Sequence, residues 1–251
     1  VQNRPAFEGP FPQEPPEDQI QHITKLYNNG ALIAASEAGA SLLREFPEAA
    51  ILHNLMGAIA MGLGAFAQAE TSFERMKLID PYSAENHYNL GNARSKQDKT
   101  NLAINSFQLA ILLNPEFSNA HNSLGIALKS AGQIEPALHS YRKAIEIDPN
   151  FAEAFYNMGN LFKDEGNLED AKRCFKSSLA IEAGLCEAHF NLGVIYKAQG
   201  KLDQAINSYS QAVEVNPVLH EGYNNLGLCL QDQGDLSAAL KIFQAAVKPV
   251  S

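Results

Sequence analysis

Four histidines stand where a metal ladder could be built. His53, His87 and His121 follow one another at 34-residue intervals, and His189 falls two intervals later. Imidazole nitrogens are zinc ligands, but they must converge to about 2.0–2.1 Å from one ion, whereas stacked helices lie roughly 8–10 Å apart. Phe155 and Tyr223 occupy the same slot in other intervals, so the histidines are expected to pack as large rings and no metal is expected. Cys174, Cys186 and Cys229 contain no CxxC pair, and three cysteines make no disulfide framework. Gly62-x-Gly64-x-x-Ala67 matches a dinucleotide fingerprint only by letters, because no strand precedes it. With no HExxH, GxSxG or Walker sequence either, neither catalysis nor a cofactor is expected.

A second set of residues suits recognition better than reaction. Asn89, Ser123, Asn157, Asn191 and Asn225 fall in one 34-residue register. Asn54, Asn122 and Asn224 fill the slot before it, and Asn92 and Asn160 the slot three residues on. A carboxamide donates and accepts at once, as does every residue of an extended peptide backbone. Lys129, Lys163 and Lys197 form a further column, and Glu85, Glu153, Glu187 and Glu221 another. These two charge columns read either as a solvated pattern or as the basic and acidic edges of a groove.

The 251 residues carry a formal charge of −9 and 45 % hydrophobic residues. That is too apolar for a disordered acidic tail and too acidic for a chain built around nucleic acid. No basic-then-apolar signal opens the sequence, and the odd cysteine count fits a reducing, cytoplasmic setting; a start at Val1 leaves a processed N-terminus open. Ala49–Ala69 has no formal charge, yet His53, Asn54 and Gln68 interrupt it and Gly62 and Gly64 break it, so it reads as part of the repeat and not as a membrane span.

The elements that carry these residues repeat. Glycine or an equivalent returns at 57, 91, 125, 159, 193 and 227, and alanine at 35, 69, 103, 137, 171, 205 and 239. A third column has glycine at 30, 64, 132, 166, 200 and 234 with Asp98 in the remaining slot, and a fourth has proline at 47, 81, 115, 149 and 217 with Ala183 the exception. Each interval holds two segments of helical apolar spacing, for example 84–96 and 101–113. The third column supplies a left-handed turn between them, which Asp tolerates better than most residues. The proline ends the second helix. Small residues inside the helices permit close approach, and Phe73, Phe107, Tyr141, Phe175, Tyr209 and Phe243 are expected to fill the space between intervals.

This pattern resembles the tetratricopeptide repeat, a 34-residue helix–turn–helix unit, from Pro16 to Ser251. The resemblance implies an all-α fold, an α-solenoid in which seven repeats form a right-handed superhelix. The repeats are 16–49, 50–83, 84–117, 118–151, 152–185, 186–219 and 220–251, after a proline-rich extended arm over 1–15. The first repeat is degenerate, with Ile23 in the glycine slot and Gly39 in the aromatic slot, and Ala183-Gly184 marks the least secure crossing. The resemblance also places the first helix of each pair on a concave groove. That makes Asn89, Asn92, Asn122, Ser123, Asn157, Asn160, Asn191, Asn224 and Asn225, with Lys129, Lys163 and Lys197, the candidate peptide-binding residues. The ladder is similar to that of the repeat superhelix of protein O-linked N-acetylglucosamine transferases, which holds extended polypeptide. The carboxylate clamp of chaperone-tail domains is not matched: its slots hold Tyr88, Asn92, Ser123, Glu153 and Asn157, without the cations. In the second repeat the groove slots are Ile51, Leu55, Ala58 and Met61, an apolar patch that is either an interface or covered by the first repeat or the arm.

The expected function is a scaffold that binds a protein or peptide segment along the groove, with no nucleic acid and no membrane span. Two alternatives stay open: a substrate-recruiting arm of a larger glycosyltransferase- or sulfotransferase-type enzyme, and a self-assembling module. The first rests on the apolar last helix (Leu240, Phe243, Val247), which suggests a further C-terminal domain or a homo-oligomer.

Overall fold

The structure, a computed structural model, describes residues 14–246. Most of the proline-rich arm and Val247 lie outside the described residues. The chain divides into two compact units, Val1–Ala131 and Gly132–Ser251. Unit one holds α1 (Glu17–Asn28), α2 (Leu32–Glu45), α3 (Ala50–Gly62), α4 (Phe66–Ile79), α5 (Ala84–Ser95), α6 (Thr100–Leu113) and α7 (Ser118–Ser130). Unit two holds α8 (Ile134–Ile147), α9 (Ala152–Asp164), α10 (Leu168–Ile181), α11 (Cys186–Ala198), α12 (Leu202–Val215), α13 (His220–Gln233) and α14 (Leu236–Ala246). No strand occurs among the described residues, and within each unit every helix packs on the next. The fold is an all-α solenoid.

The turn between paired helices follows from residue type. Gly64 sits at φ 71°, where a Cβ would be strained, and Asp98 at φ 57° is the one non-glycine with positive φ among the described residues. The second helices end in a device beyond the proline column. The residue before the proline accepts a hydrogen bond from the backbone two residues on: Asp80 from Tyr82 N–H (3.2 Å), Asn114 from Glu116 (3.2 Å), Asp148 from Asn150 (3.0 Å) and Asn216 from Val218 (3.2 Å). These are Asx turns, in which the side chain substitutes for the next backbone acceptor. Glu182 stands in this slot before Ala183. Its backbone (φ −129°, ψ 91°) matches that of Asn216 (φ −125°, ψ 91°), so the crossing keeps its shape without the proline.

The aromatic column packs toward the next repeat, where Phe73 clusters with Leu90 and Ala93, and also within its own helix pair. Phe73, Phe107, Phe175, Tyr209 and Phe243 each lie over the glycine of their own helix pair, in the space that the missing side chain leaves. A Cβ at Gly193 would come within 2.6 Å of the Tyr209 ring, and one at Gly159 within 2.8 Å of Phe175. Phe175 and Tyr209 are at most 1 % exposed. In the first pair the volumes are exchanged. Ile23 is buried, and the space over Gly39 is taken by Met56 of α3.

Candidate functional site

The residues that could do chemistry are used structurally. His53, His87, His121 and His189 each place Nε2 against the backbone carbonyl six residues earlier: Pro47 (2.7 Å), Pro81 (2.9 Å), Pro115 (3.0 Å) and Ala183 (2.9 Å). A carbonyl only accepts, so Nε2 carries the proton and each ring pins the loop that leads into its own helix. Among the described residues no group of three His, Cys, Asp or Glu could hold a metal ion, and no helix is long and apolar enough to cross a membrane. The three thiols are buried and unpaired. Burial pushes the Cys174 thiol up to about 11, which keeps it protonated and unreactive near neutrality.

In unit two the carboxamide and lysine columns meet on neighbouring first helices. Lys163 Nζ donates to Asn191 Oδ1 at 2.9 Å, and Asn191 Nδ2 donates to Asn160 Oδ1 at 3.1 Å. This network joins α9 to α11. Asn191 is 7 % exposed, so its amide serves its neighbours first. Asn160 is half-buried, and its N–H₂ group has no hydrogen-bond partner among the described residues. Asn157 Nδ2 leans on Glu153 at 3.5 Å, one turn away on α9. On α13, Asn224 is exposed and Asn225 half-buried, and neither side chain is hydrogen-bonded among the described residues. Lys197 is half-buried at the corresponding place on α11.

Unit one carries a shorter row. Asn89 and Asn92 lie three residues apart on one face of α5, half-buried and likewise without a side-chain hydrogen bond among the described residues. On α7, Asn122 is buried, while Ser123 and Lys129 are half-buried. The apolar slots of α3 divide. Leu55 packs into the core with Ile20, Ile23 and Leu52, and Met61 packs against Phe73 and Leu90. Ala58 is half-buried. Ile51 stays 52 % exposed, on the rim of a cavity of about 440 Å³ that Pro15, Glu17, Ile20 and Ala50 also line. The patch is therefore partly covered by the first helix pair.

An ion network of unit one escaped the reading of the sequence. Arg94 on α5 donates to Glu70 on α4 at 3.1 Å and to Ser106 on α6 at 2.8 Å, and it also pairs with Glu74. Gln97 and Lys99 donate to the other Glu70 oxygen at 2.9 and 2.6 Å. Side chains of Arg94 and Glu70 are 13 % and 16 % exposed. Burial raises the Glu70 pKa, but the hydrogen bonds from Lys99, Arg94 and Gln97 outweigh it and hold the carboxyl below its ordinary range. The signal was present: one period on, Glu70 becomes Ile104 and Arg94 becomes Leu128. Two charges in two otherwise mainly apolar columns, one helix apart, announce a pair.

Tetratricopeptide-repeat profiles match residues 84–117, 152–184, 186–217 and 220–248, and a TPR-repeat profile matches 127–166. No curated protein sequence matches the chain. Among solved structures, a crystal structure of MamA is similar over 68 % of this chain and 93 % of its own, with TM-score 0.60 and 28 % identity. YrrB, a TPR protein with an unusual peptide-binding site, is similar over 79 % of this chain and 99 % of its own, with TM-score 0.56 and 22 % identity. The APC/C hetero-tetramer Cut9–Hcn1 matches 92 % of this chain against 46 % of its own, with TM-score 0.69 and 15 % identity. The last two likenesses concern the fold alone. The repeat profiles, spread over more than half of the sequence, together with the paired helices that carry them, make the chain a member of the tetratricopeptide-repeat family.

Proposed function

We propose that this chain is a non-catalytic scaffold for protein–protein interaction, and that the asparagine-bearing face of its first helices takes up an extended segment of a partner. The observation that carries the reading is the set of carboxamides without internal partners: Asn89 and Asn92 in unit one, Asn224 and Asn225 in unit two. Each offers a donor and an acceptor at the surface of a rigid helix, and an extended backbone offers the complement. Lys163 and Lys197 add positive charge for acidic side chains of the bound segment. The peptide-binding site of YrrB supports the reading only as an analogy of fold.

Magnitudes set the expected affinity. An amide hydrogen bond contributes about 0.5–1.5 kcal/mol net, and ordering a flexible segment costs about 2–5 kcal/mol. Four amides alone therefore give weak binding. The test is to pan a displayed random dodecapeptide library on the chain and titrate a selected peptide by calorimetry. Changing Asn89, Asn92, Asn224 and Asn225 together to Ala should raise Kd by at least about thirtyfold if all four bond the segment, with helicity by circular dichroism unchanged. An unaltered Kd refutes the proposal.

A further inference from the structure

In unit two a crevice of about 400 Å³ lies between α8, α9 and α10. Phe155, Met158 and Phe162 of α9 line it, all three half-buried, while α8 adds Arg142 and α10 adds Arg173 and Ser177. The apolar residues fall at i, i+3 and i+7 of α9, on the face opposite Asn157 and Asn160. The crevice is therefore separate from the asparagine-bearing face. Arg142 is exposed and makes no hydrogen bond or ion pair among the described residues. Arg173 gives one N–H to Asp170, which also lines the crevice, and its side chain is 79 % exposed. A guanidinium has five N–H donors, so most of the donors here are unspent.

The repeat supplies its own control. Taking the Arg142 slot of one repeat with the Arg173 slot of the next gives Ala40 with Thr71 and Glu74 with Asn105 in unit one. In unit two it gives Lys176 with Asn207 and Ser210 with Lys241. None of these joins two cations. The equivalent crevice one period on sets Lys176 beside Asp203, one charge of each sign, and replaces Phe155 and Phe162 with His189 and Tyr196. The crevice on α9 instead holds two guanidiniums and one carboxylate, which leaves one positive charge uncompensated over an apolar floor.

We infer that this crevice docks an acidic segment of a partner protein, with one Asp or Glu carboxylate between Arg142 and Arg173 and a neighbouring large apolar side chain on the α9 floor. That the ligand is a protein segment rests on the scaffold reading above, whereas the site uses none of its four asparagines. A single carboxylate matches the single surplus charge and the planar fork of a guanidinium. A phosphate carries about −1.5 to −2, and its excess would face Asp170. A polyanionic nucleic acid would also meet exposed Glu135 on α8 and Glu169 on α10. Residues 155 to 162 of α9 span about 10 Å, the length of about three residues of extended chain.

The test is to titrate the whole ¹⁵N-labelled chain with acetyl-Phe-Glu-Leu-amide. The Nε–H signals of Arg142 and Arg173 should shift together. Arg142→Gln and Arg173→Gln should each weaken binding by about tenfold without changing the melting temperature, as should glutamine in place of the peptide's glutamate. The variant with Asn89, Asn92, Asn224 and Asn225 changed to Ala should bind this peptide as the unaltered chain does, so the two sites fail separately. Four results overturn the inference. They are arginine signals unmoved at roughly 10 mM peptide, an affinity unaltered by either arginine substitution or by the glutamine peptide, loss of binding in the asparagine variant, and 3-phenylpropionate binding as tightly as the peptide, which would make this a site for small acids.

Discussion

At the joint where a second helix meets the following first helix, unit one places Glu70 against Arg94 and unit two places Lys172 under Tyr196, its Nζ 5.8 Å from the ring centroid. The two pairs occupy the same slots of the repeat, and Ile104–Leu128 and Ile206–Leu230 occupy them elsewhere in units one and two. One joint thus accepts an ion pair, a cation over an aromatic face, or plain aliphatic contact. The helix geometry does not depend on which is used, because the glycine-and-ring packing inside each pair is common to both units. What differs is the consequence of removing a partner. A buried ion leaves its counter-ion stranded, whereas a cation over a ring can extend to water.

The comparison is broken most sharply at Arg94. Arg94→Leu should cost about 2–3 kcal/mol, below the roughly 3–5 kcal/mol of a fully buried pair because Lys99 and Gln97 still reach Glu70. Hydrogen exchange should quicken in α4–α6 and stay unchanged in α10–α12. Adding Glu70→Ile, which copies the Ile104–Leu128 joint, should recover most of the loss. Failure of the double substitution to recover stability would show that the network is not interchangeable with its aliphatic counterpart.

The next effect separates the two asparagine rows. Asn191→Ala should cost about 1–2 kcal/mol, because it leaves Lys163 and Asn160 without their shared partner. Asn225→Ala in the same slot should stay within about 0.5 kcal/mol. Thermal melts of the single variants decide this. Equal losses would mean that the Asn225 amide is also engaged within the fold.

Acid should act on unit one through Glu70. Its carboxyl titrates below its ordinary value in the folded chain, so the stabilisation is present above the unfolded value of 4.5 and is lost as pH falls through the lower folded value. Melting followed from about pH 5 to about pH 3 should show exchange rising first in α4–α6. The lowered carboxylates of unit two, Glu169 and Asp170, are held first by hydrogen bonds from Lys172 and Arg173, and each pair has one member open to solvent, Glu169 at 68 % and Arg173 at 79 %. Their contribution should disappear in roughly 1 M salt, while that of Glu70 should persist. The smallest change is at the turns. Asp98→Gly should gain about 0.5 kcal/mol by relieving φ 57°, and Gly166→Ala in unit two, at φ 77°, should lose about 1 kcal/mol.

The turns and helix pairs were legible in the sequence because each depends on one residue's own conformational range. Gly64, Asp98 and the proline column needed no knowledge of neighbours. The seat of the rings inside their own pair was not legible because filling a hole is a property of two residues: Gly193 makes the space that Tyr209 occupies. Asn191 and Asn225 look identical in sequence, and only the position of Lys163 and Asn160 on the neighbouring helix divides a structural amide from an available one. The Arg94–Glu70 pair was hidden for the same reason, since a period shows that a slot recurs but not which slots touch.

The most direct measurement is the side-chain amide spectrum of the uniformly ¹⁵N-labelled chain during titration with a selected peptide. The account predicts that the N–H₂ signals of Asn89 with Asn92, or of Asn224 with Asn225, shift with occupancy, while that of Asn191, buried between Lys163 and Asn160, moves least. Shifts confined to side chains on the second helices, with the four asparagine signals unmoved, would contradict it.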